Sequence, residues 1–495
     1  MKRRIQNILL LSVLVSASSC SKFLEKEPDS NRPSITTPEQ VSQLLISAYP
    51  KASYLTITEA FSDNADDKGQ GTDDFTNRDC YKFEEVNASV DNQDSPDQYW
   101  SECYKAIATC NQALEIIANA KNPDLFKAQK GEALVARAYA HFMLVSLYSK
   151  FYDAATASTD VGIPYVDVPE DIVFKKYDRK TVASVYERIE KDLLDGLPLI
   201  SDKAYDVPKY HFNTAAAHAF AARFYQYKKD WDKVLTHTNA AFPANNFVTQ
   251  LRPWNTTWTA FAYQELWNAY TRVSTASNLL LVETSSVFGR YNYTYRYAYT
   301  NAILNQVNSV KAIASTSLTW IVQNKLYTVG TNNYLIPKLS EYFVRESVNA
   351  NFGQPYVMVP LFDAEEVLFN RAEANIYKEN YTAVLADFNT YVSTRVQNYN
   401  ATTHAVTQAK IQAYAGASVA VKDAYIKALL DLRRFEYTFQ GMRYFDMQRY
   451  KLPVTHQIKN NGVVTETITV PADDNRRVLQ IPRSASLSGL ELNPR

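Results

Sequence analysis

The sequence predicts a mainly α fold of stacked helix pairs, interrupted by an irregular, aromatic-rich insertion that contains short strands. Three observations predict it. Glycine is scarce, with 12 residues in 495, while the chain carries 35 Tyr, 23 Phe and 6 Trp; that balance suits helices with aromatic contact surfaces better than a β-sandwich. Small and apolar residues recur at threes and fours over two long stretches. One helix–turn–helix segment occurs twice.

The first stretch runs from Trp100 to Tyr148, where Ala133, Ala136, Ala140, Leu144 and Leu147 form a stripe that lets a second helix come close. The second runs from Thr214 to Ala241: Ala215, Ala219 and Ala222, a polar break at Lys228 to Asp230, then Trp231, Val234, Leu235 and Thr238. Its positions Ala222, Tyr227, Lys228, Val234, Leu235 and Asn239 reappear at a constant offset as Ala372, Tyr377, Lys378, Val384, Leu385 and Asn389. Helix pairs repeated in this way resemble tetratricopeptide units, which stack because one pair alone cannot bury its apolar face. Asp423 to Tyr450 supplies a further helical stretch.

Between the repeats the texture changes. Residues 242–355 carry Trp254, Trp258, Trp267 and Trp320 with little helical period, and Tyr291, Tyr293, Tyr295, Tyr297 and Tyr299 alternate strictly. Period two puts five tyrosines on one face of a strand. A tail from about 451 to 495, punctuated by Pro453, Pro471, Pro482 and Pro494, reads as irregular. The expected organisation is a signal peptide over 1–19 and a single domain over 20–495. That domain comprises a helical scaffold (about 36–241 and 356–450), the insertion (about 242–355) and the tail.

Lys2, Arg3 and Arg4 precede an apolar run from Ile8 to Val15, too short to span a bilayer, and small residues Ala17 to Ser19 lead to Cys20. This resembles a bacterial lipobox, with Cys20 as the acylated N-terminus. Cys80, Cys103 and Cys110 remain and cannot all pair within the chain; Cys103 and Cys110 are about 10 Å apart along a helix, too far for a disulfide. Free buried thiols are expected.

Formal charge is +0, which argues against an electrostatic grip on nucleic acid or anionic headgroups. The six histidines are scattered, with no HExxH and no tight His/Asp/Glu group, so no metal and no cofactor is expected. The chain lacks a GxSxG elbow and a phosphate-binding GxxxxGK[ST] loop. Asn64, Asp66 and Gly69 match three positions of a calcium loop, but Lys68 and Phe75 stand where ligands belong. Near the C-terminus Arg433, Arg434, Glu436, Gly441, Arg443, Asp446 and Arg449 read as an architectural ion-pair network rather than catalytic machinery.

These residues together resemble the SusD/RagB family of outer-membrane nutrient-binding lipoproteins, along the whole chain. Cys20 to Pro28 is similar to that family's mature start, Thr37 to Tyr49 to its first helix, and Gly131 to Tyr148 with Gly162, Ile163 and Pro164 to its alanine-bearing helix and the strand beyond. Ala364 to Ala374 resembles another family helix, and Arg434 to Asp446, trailed by Ile481, Pro482, Asn493 and Pro494, is the most specific piece. Gln440, Met442 and Ser486 depart from the family's usual residues.

The resemblance implies an extracellular lipoprotein, lipid-anchored to the outer membrane, that binds an oligosaccharide and passes it to a SusC-like TonB-dependent transporter without turnover. A peptide cargo, or a glycoside hydrolase built from distant carboxylates, are the alternatives. The ligand face is expected in the insertion, on Trp254, Trp258, Trp320, Tyr291, Tyr293 and Tyr295. The acidic loop at Asp73 and Asp74 would form a second wall.

Overall fold

The computed structural model describes residues 35–170, 176–315, 317–487 and 489–495. The signal peptide and Cys20 lie outside the described residues. Helices of eight or more residues are numbered here. The first, α1 (Pro38–Leu45), opens with Thr37 and Gln40 capping each other's backbone. It packs on the long antiparallel pair α2 (Pro96–Ala118) and α3 (Lys127–Tyr148).

The alanine stripe of α3 is one part of a helix that is buried all round from Gly131 to Tyr148, because α2 and α4 (Val182–Gly196) pack on different sides of it. Gly131 and Gly196 meet at the α3–α4 crossing. A Cβ on Gly131 would lie 3.0 Å from the Gly196 carbonyl oxygen, and one on Gly196 would lie 2.9 Å from the Gly131 oxygen.

The repeat is real and its turns match. α5 (Thr214–Lys228) and α6 (Trp231–Ala241) form one pair, α9 (Ala364–Tyr377) and α10 (Tyr381–Ser393) the other. Each pair turns through a left-handed residue, Lys229 (φ 59°) and Glu379 (φ 57°). Each second helix is then capped by a side chain three residues before the amide it bonds, Asp230 to Lys233 and Asn380 to Ala383. Ala222 and Ala372 are fully buried. The two pairs stack directly: the Trp231 ring lies on Tyr377, centroids 4.1 Å apart and nearly parallel.

The insertion holds α7 (Tyr263–Tyr270) and α8 (Asn301–Asn308) among short strands. β2 (Asn278–Ser285) and β6 (Glu341–Arg345) flank β7 (Gly353–Asp363) in an antiparallel sheet. Two-residue ladders join β1 (Asp66–Asp67) to β3 (Tyr297–Ala298), and β4 (Tyr327–Thr328) to β5 (Tyr334–Leu335). After α11 (Gln408–Ala415), α12 (Val421–Glu436) and α13 (Met442–Arg449), the tail departs from the expected irregularity. Residues of β8 (Val454–Asn460) and β9 (Val463–Val470) form a hairpin. Its turn, Asn461 (φ 49°) and Gly462 (φ 79°), takes the two positive φ angles that Asn-Gly supplies most readily.

Buried charges connect these parts. Arg252 and Arg395, both fully buried, share Glu365: the Arg252 guanidinium donates to Oε2 at 2.9 Å and that of Arg395 to Oε1 at 2.8 Å. Arg252 also reaches Asp363 (3.1 Å) and Asn278 (3.1 Å), and Arg395 reaches Glu436 (2.9 Å). Burial raises the Asp363 carboxyl above its ordinary range, whereas the two guanidiniums hold Glu365 well below it in spite of burial.

The C-terminal charges extend the network between elements rather than along one helix: Arg433 to Asp446 (2.9 Å), Arg449 to Glu373 (2.6 Å) and Arg443 to Asp63 (2.8 Å). Cys80, Cys103 and Cys110 are free and buried, and among the described residues no helix is long and apolar enough to cross a membrane.

Removing one member of this network leaves its partners charged and buried. Arg395→Met takes from Glu436 its close guanidinium and leaves Glu365 with Arg252 alone, and is expected to cost about 3–5 kcal/mol of unfolding free energy in denaturant titration. A loss below about 1 kcal/mol would mean that the network is not what holds these elements together.

Candidate ligand face

The loop after α6 enters the core at Arg252, and this decides where the tryptophans go. Trp254 and Trp258 follow within six residues and are carried inward with it, 0% and 3% exposed, ring centroids 5.0 Å apart. Trp320, 0% exposed, meets Phe435 of α12 edge to face. These three indoles have no free face for a ligand, so the expectation that they line the site is corrected: they are core residues of the insertion.

The tyrosine alternation is corrected as well. Residues 288–291 form a helical turn, with Tyr291 N–H bonded to the Val287 carbonyl (3.1 Å) and Thr294 and Tyr295 N–H both bonded to that of Tyr291 (2.9 Å). Local hydrogen bonds satisfy this backbone where a strand would have needed a partner, and only Tyr297 enters a strand. Tyr295, at 2% exposure, Tyr297 and Tyr299 are buried; Tyr291 and Tyr293 stay half-buried at the surface. In the acidic loop, Asp74 is spent as the N-cap of the helix Phe75–Tyr81, accepting from Asn77 N–H at 2.8 Å. Exposed Asp73 pairs with Arg78 at 3.2 Å.

A different aromatic group is left open. α7 begins where Glu265 turns back to accept the Ala262 N–H (2.9 Å), and it buries Leu266, Ala269 and Tyr270. Tyr263 and Trp267, four residues apart, share one side of the helix at the margin of that buried face. Their rings meet at 5.7 Å and 70°, and Tyr327 of β4 meets Tyr263 at 5.1 Å and 83°. All three are half-buried. Burial, then the nearby hydroxyls of Tyr293 and Tyr327, push the Tyr263 hydroxyl above its ordinary pKa.

Polar side chains lock the backbone around these rings. Lys68 Nζ donates to the Tyr293 carbonyl (2.9 Å) and to Asn333 Oδ1 (2.7 Å), tying the acidic loop, the 291–296 segment and the β4–β5 turn together. Burial pulls its pKa down to about 8. Lys325 Nζ donates to the carbonyls of Thr259 (2.9 Å) and Phe261 (2.6 Å), joining the segment before β4 to the approach to α7. Arg296 holds Asp67 with two bonds of 2.8 and 2.9 Å. The result is a fixed set of part-open aromatic rings with polar groups beside them, which can stack on a flat apolar surface and bond the hydroxyls at its rim.

Sequence reasoning missed Tyr263, Trp267, Tyr327, Lys68 and Asn333; the one local signal was the spacing of four between Tyr263 and Trp267 on a short helix. A cavity of about 540 Å³ lies elsewhere, against α2, with Trp100, Tyr104, Asn111, Tyr177 and Leu490 among its walls. Of its polar groups, Tyr104 donates to the Pro164 carbonyl (2.8 Å) and Asn111 to those of Val166 and Val168 (3.2 and 3.1 Å), while Glu170 and Lys176 also line it. Among the described residues no group of three or more His, Cys, Asp or Glu is placed to hold a metal.

The two classes of tryptophan should separate by experiment. Trp254→Ala is expected to lose about 3–5 kcal/mol of stability, whereas Trp267→Ala should leave thermal unfolding nearly unchanged and weaken ligand binding. A Trp267→Ala protein that unfolds early and, when folded, binds normally would assign Trp267 to the core.

Comparison with known proteins agrees with this architecture. Residues 22–226 match a family model described as starch-binding, associating with the outer membrane, and residues 289–484 match the model of the SusD family. No curated protein matches the chain. Among solved structures, a SusD superfamily protein from Bacteroides vulgatus is 18% identical with a TM-score of 0.67, the match covering 93% of this chain and 99% of that one. One from Bacteroides thetaiotaomicron is also 18% identical, with a TM-score of 0.65 and coverage of 93% and 100%. A laminarin-binding SusD-like protein is 14% identical, with a TM-score of 0.59 and coverage of 93% and 100%. At these identities the structural matches establish the fold; with both family models placed in order along one chain, the protein belongs to the SusD/RagB family.

Proposed function

We propose that this protein is a surface lipoprotein that binds an oligosaccharide on the face formed by Tyr263, Trp267, Tyr293 and Tyr327, and delivers it uncleaved to a TonB-dependent outer-membrane transporter. The observation that carries the reading is that face itself: the half-open rings of Trp267 and Tyr327 each meet Tyr263, and Lys68 ties the Tyr293 carbonyl to Asn333 in the turn that follows Tyr327. Sugar rings present flat C–H faces to aromatics and hydroxyls to polar neighbours, so both halves of the site have a task. The starch-binding description of the first family model and the laminarin-binding relative support the ligand class.

Acylation of Cys20 would hold the protein at the membrane, since among the described residues no helix can span one. Delivery needs binding without turnover. The stacked helix pairs offer an extended surface of the kind that suits a large partner such as a transporter barrel.

A glycan array should return oligosaccharide ligands for the wild-type protein. Replacing Cys20 with Ala should move it from the membrane to the soluble fraction, and detergent extracts of the wild type should co-purify a β-barrel protein of much higher mass. Unchanged membrane fractionation together with absence of fatty-acid labelling in both forms would refute the anchor, and recovery of the lipoprotein alone across mild detergents would refute the partnership.

A further inference from the structure

The charges around the aromatic face are not balanced in the way the rest of the molecule is. The chain has 52 basic and 52 acidic side chains, and near this face the acidic ones are consumed. Asp66 pairs with Lys459 (2.8 Å), Asp67 with Arg296 (2.8 Å), Asp73 and Asp79 with Arg78 (3.2 and 2.9 Å), and Glu341 with Arg290. Glu265 stands on α7, but it is two residues from Tyr263 and from Trp267. That spacing turns it to another side of the helix, where its carboxylate bonds the Ala262 N–H.

Two lysines bonded to the segments that carry these rings have no such partner. Lys68 and Lys325 have no carboxylate within ion-pairing distance among the described residues. Their ammonium groups bond only neutral oxygens, two each: the Tyr293 carbonyl and Asn333 for Lys68, the Thr259 and Phe261 carbonyls for Lys325. An ammonium has three N–H donors, so one remains on each.

The two lysines are tied to different segments of the group. Lys68 comes from the acidic loop through Tyr293, and Lys325 from two residues before Tyr327. Partial burial makes the lone charge of Lys68 costly, as its lowered pKa registers, and an anion brought by a ligand would offset that cost.

Building on the oligosaccharide reading above, we infer that the ligand is an anionic glycan, with aromatic stacking on its rings by Tyr263, Trp267 and Tyr327 and with its acidic groups met by Lys68 and Lys325. The chemistry fits a uronic acid carboxylate or a sulfate ester, since either accepts a charge-assisted hydrogen bond from an ammonium. A neutral glucan would leave both charges unanswered.

The test is calorimetric titration of the whole mature protein with oligogalacturonides and oligoalginates (carboxylate), chondroitin sulfate oligosaccharides and their desulfated forms (sulfate), carboxyl-reduced oligogalacturonides, and laminari-oligosaccharides (neutral). At least one anionic oligosaccharide should bind ten-fold or more tighter than its reduced or desulfated counterpart. Lys68→Met and Lys325→Met should each weaken that binding about ten- to hundred-fold, the worth of a hydrogen bond to a charged group. Because Lys68 also ties three segments together, wild-type protein is titrated in parallel at 50 and 300 mM salt, where anionic binding should weaken several-fold and neutral binding should not.

If a neutral glycan binds as tightly as any anionic one, or salt leaves all affinities unchanged, the inference is overturned while oligosaccharide binding stands. If none of the glycans binds and a broad array is also blank, the oligosaccharide reading falls with it.

Discussion

The buried pairing of Arg252 and Arg395 with Glu365 and Glu436 is the constraint on which the rest of the structure depends. These four side chains come from four places in the chain: the loop that opens the insertion, the end of α10, the start of α9 and the end of α12. Each is wholly excluded from solvent. Set against a well-packed apolar core, such a network contributes little net stability, because desolvating the charges costs about what their attraction returns. Its effect is on specificity. Misplacing any one of the four segments leaves an unpaired charge in the interior, so competing packings of the helix pairs are disfavoured more strongly than the native one is favoured.

The ligand face inherits its geometry from that network. Arg252 draws the loop inward, so Trp254 and Trp258 pack inside and α7 follows with Tyr263 and Trp267 half-buried beside its packed face. The ring of Tyr270, at the buried end of the same helix, lies under the Arg252 guanidinium at 4.2 Å, and its hydroxyl donates to Gln440 Oε1 at 2.8 Å. Gln440 also accepts from Lys338 (3.2 Å) and precedes Gly441. The left-handed backbone of Gly441 (φ 72°) brings its N–H to Glu59 (2.7 Å). A short helix with two half-buried aromatics is thereby fastened at its far end to the scaffold, and rings held in place lose little entropy when a ligand stacks on them.

How much of this was legible follows from the range of the interactions involved. The helix pairs could be read because their determinants are local: spacing of small residues, a polar break, and a cap three residues from its amide. The turns at Lys229 and Glu379 then fell at equivalent positions. The Asn461–Gly462 hairpin was equally local and equally readable, but the prolines around it drew the tail toward an irregular reading.

The ligand face was not legible. An indole in a loop looks the same whether it faces solvent or core, and for Trp254 the deciding contact is a salt bridge to Glu365 made by its neighbour Arg252 across more than a hundred residues. The tyrosine alternation misled for a related reason. Period two indicates a strand only if a partner strand is present, and here the amides of 290–295 bond mostly to carbonyls within the same turn, with a single isolated bridge to Thr72.

The most direct measurement is hydrogen–deuterium exchange, with and without the oligosaccharide that binds best on a glycan array. The account predicts ligand-dependent protection at 259–270, 291–296 and 325–334 and in the loop around Lys68. Protection at 100–111 and 164–168, along the cavity against α2, with the aromatic face unchanged, would contradict it.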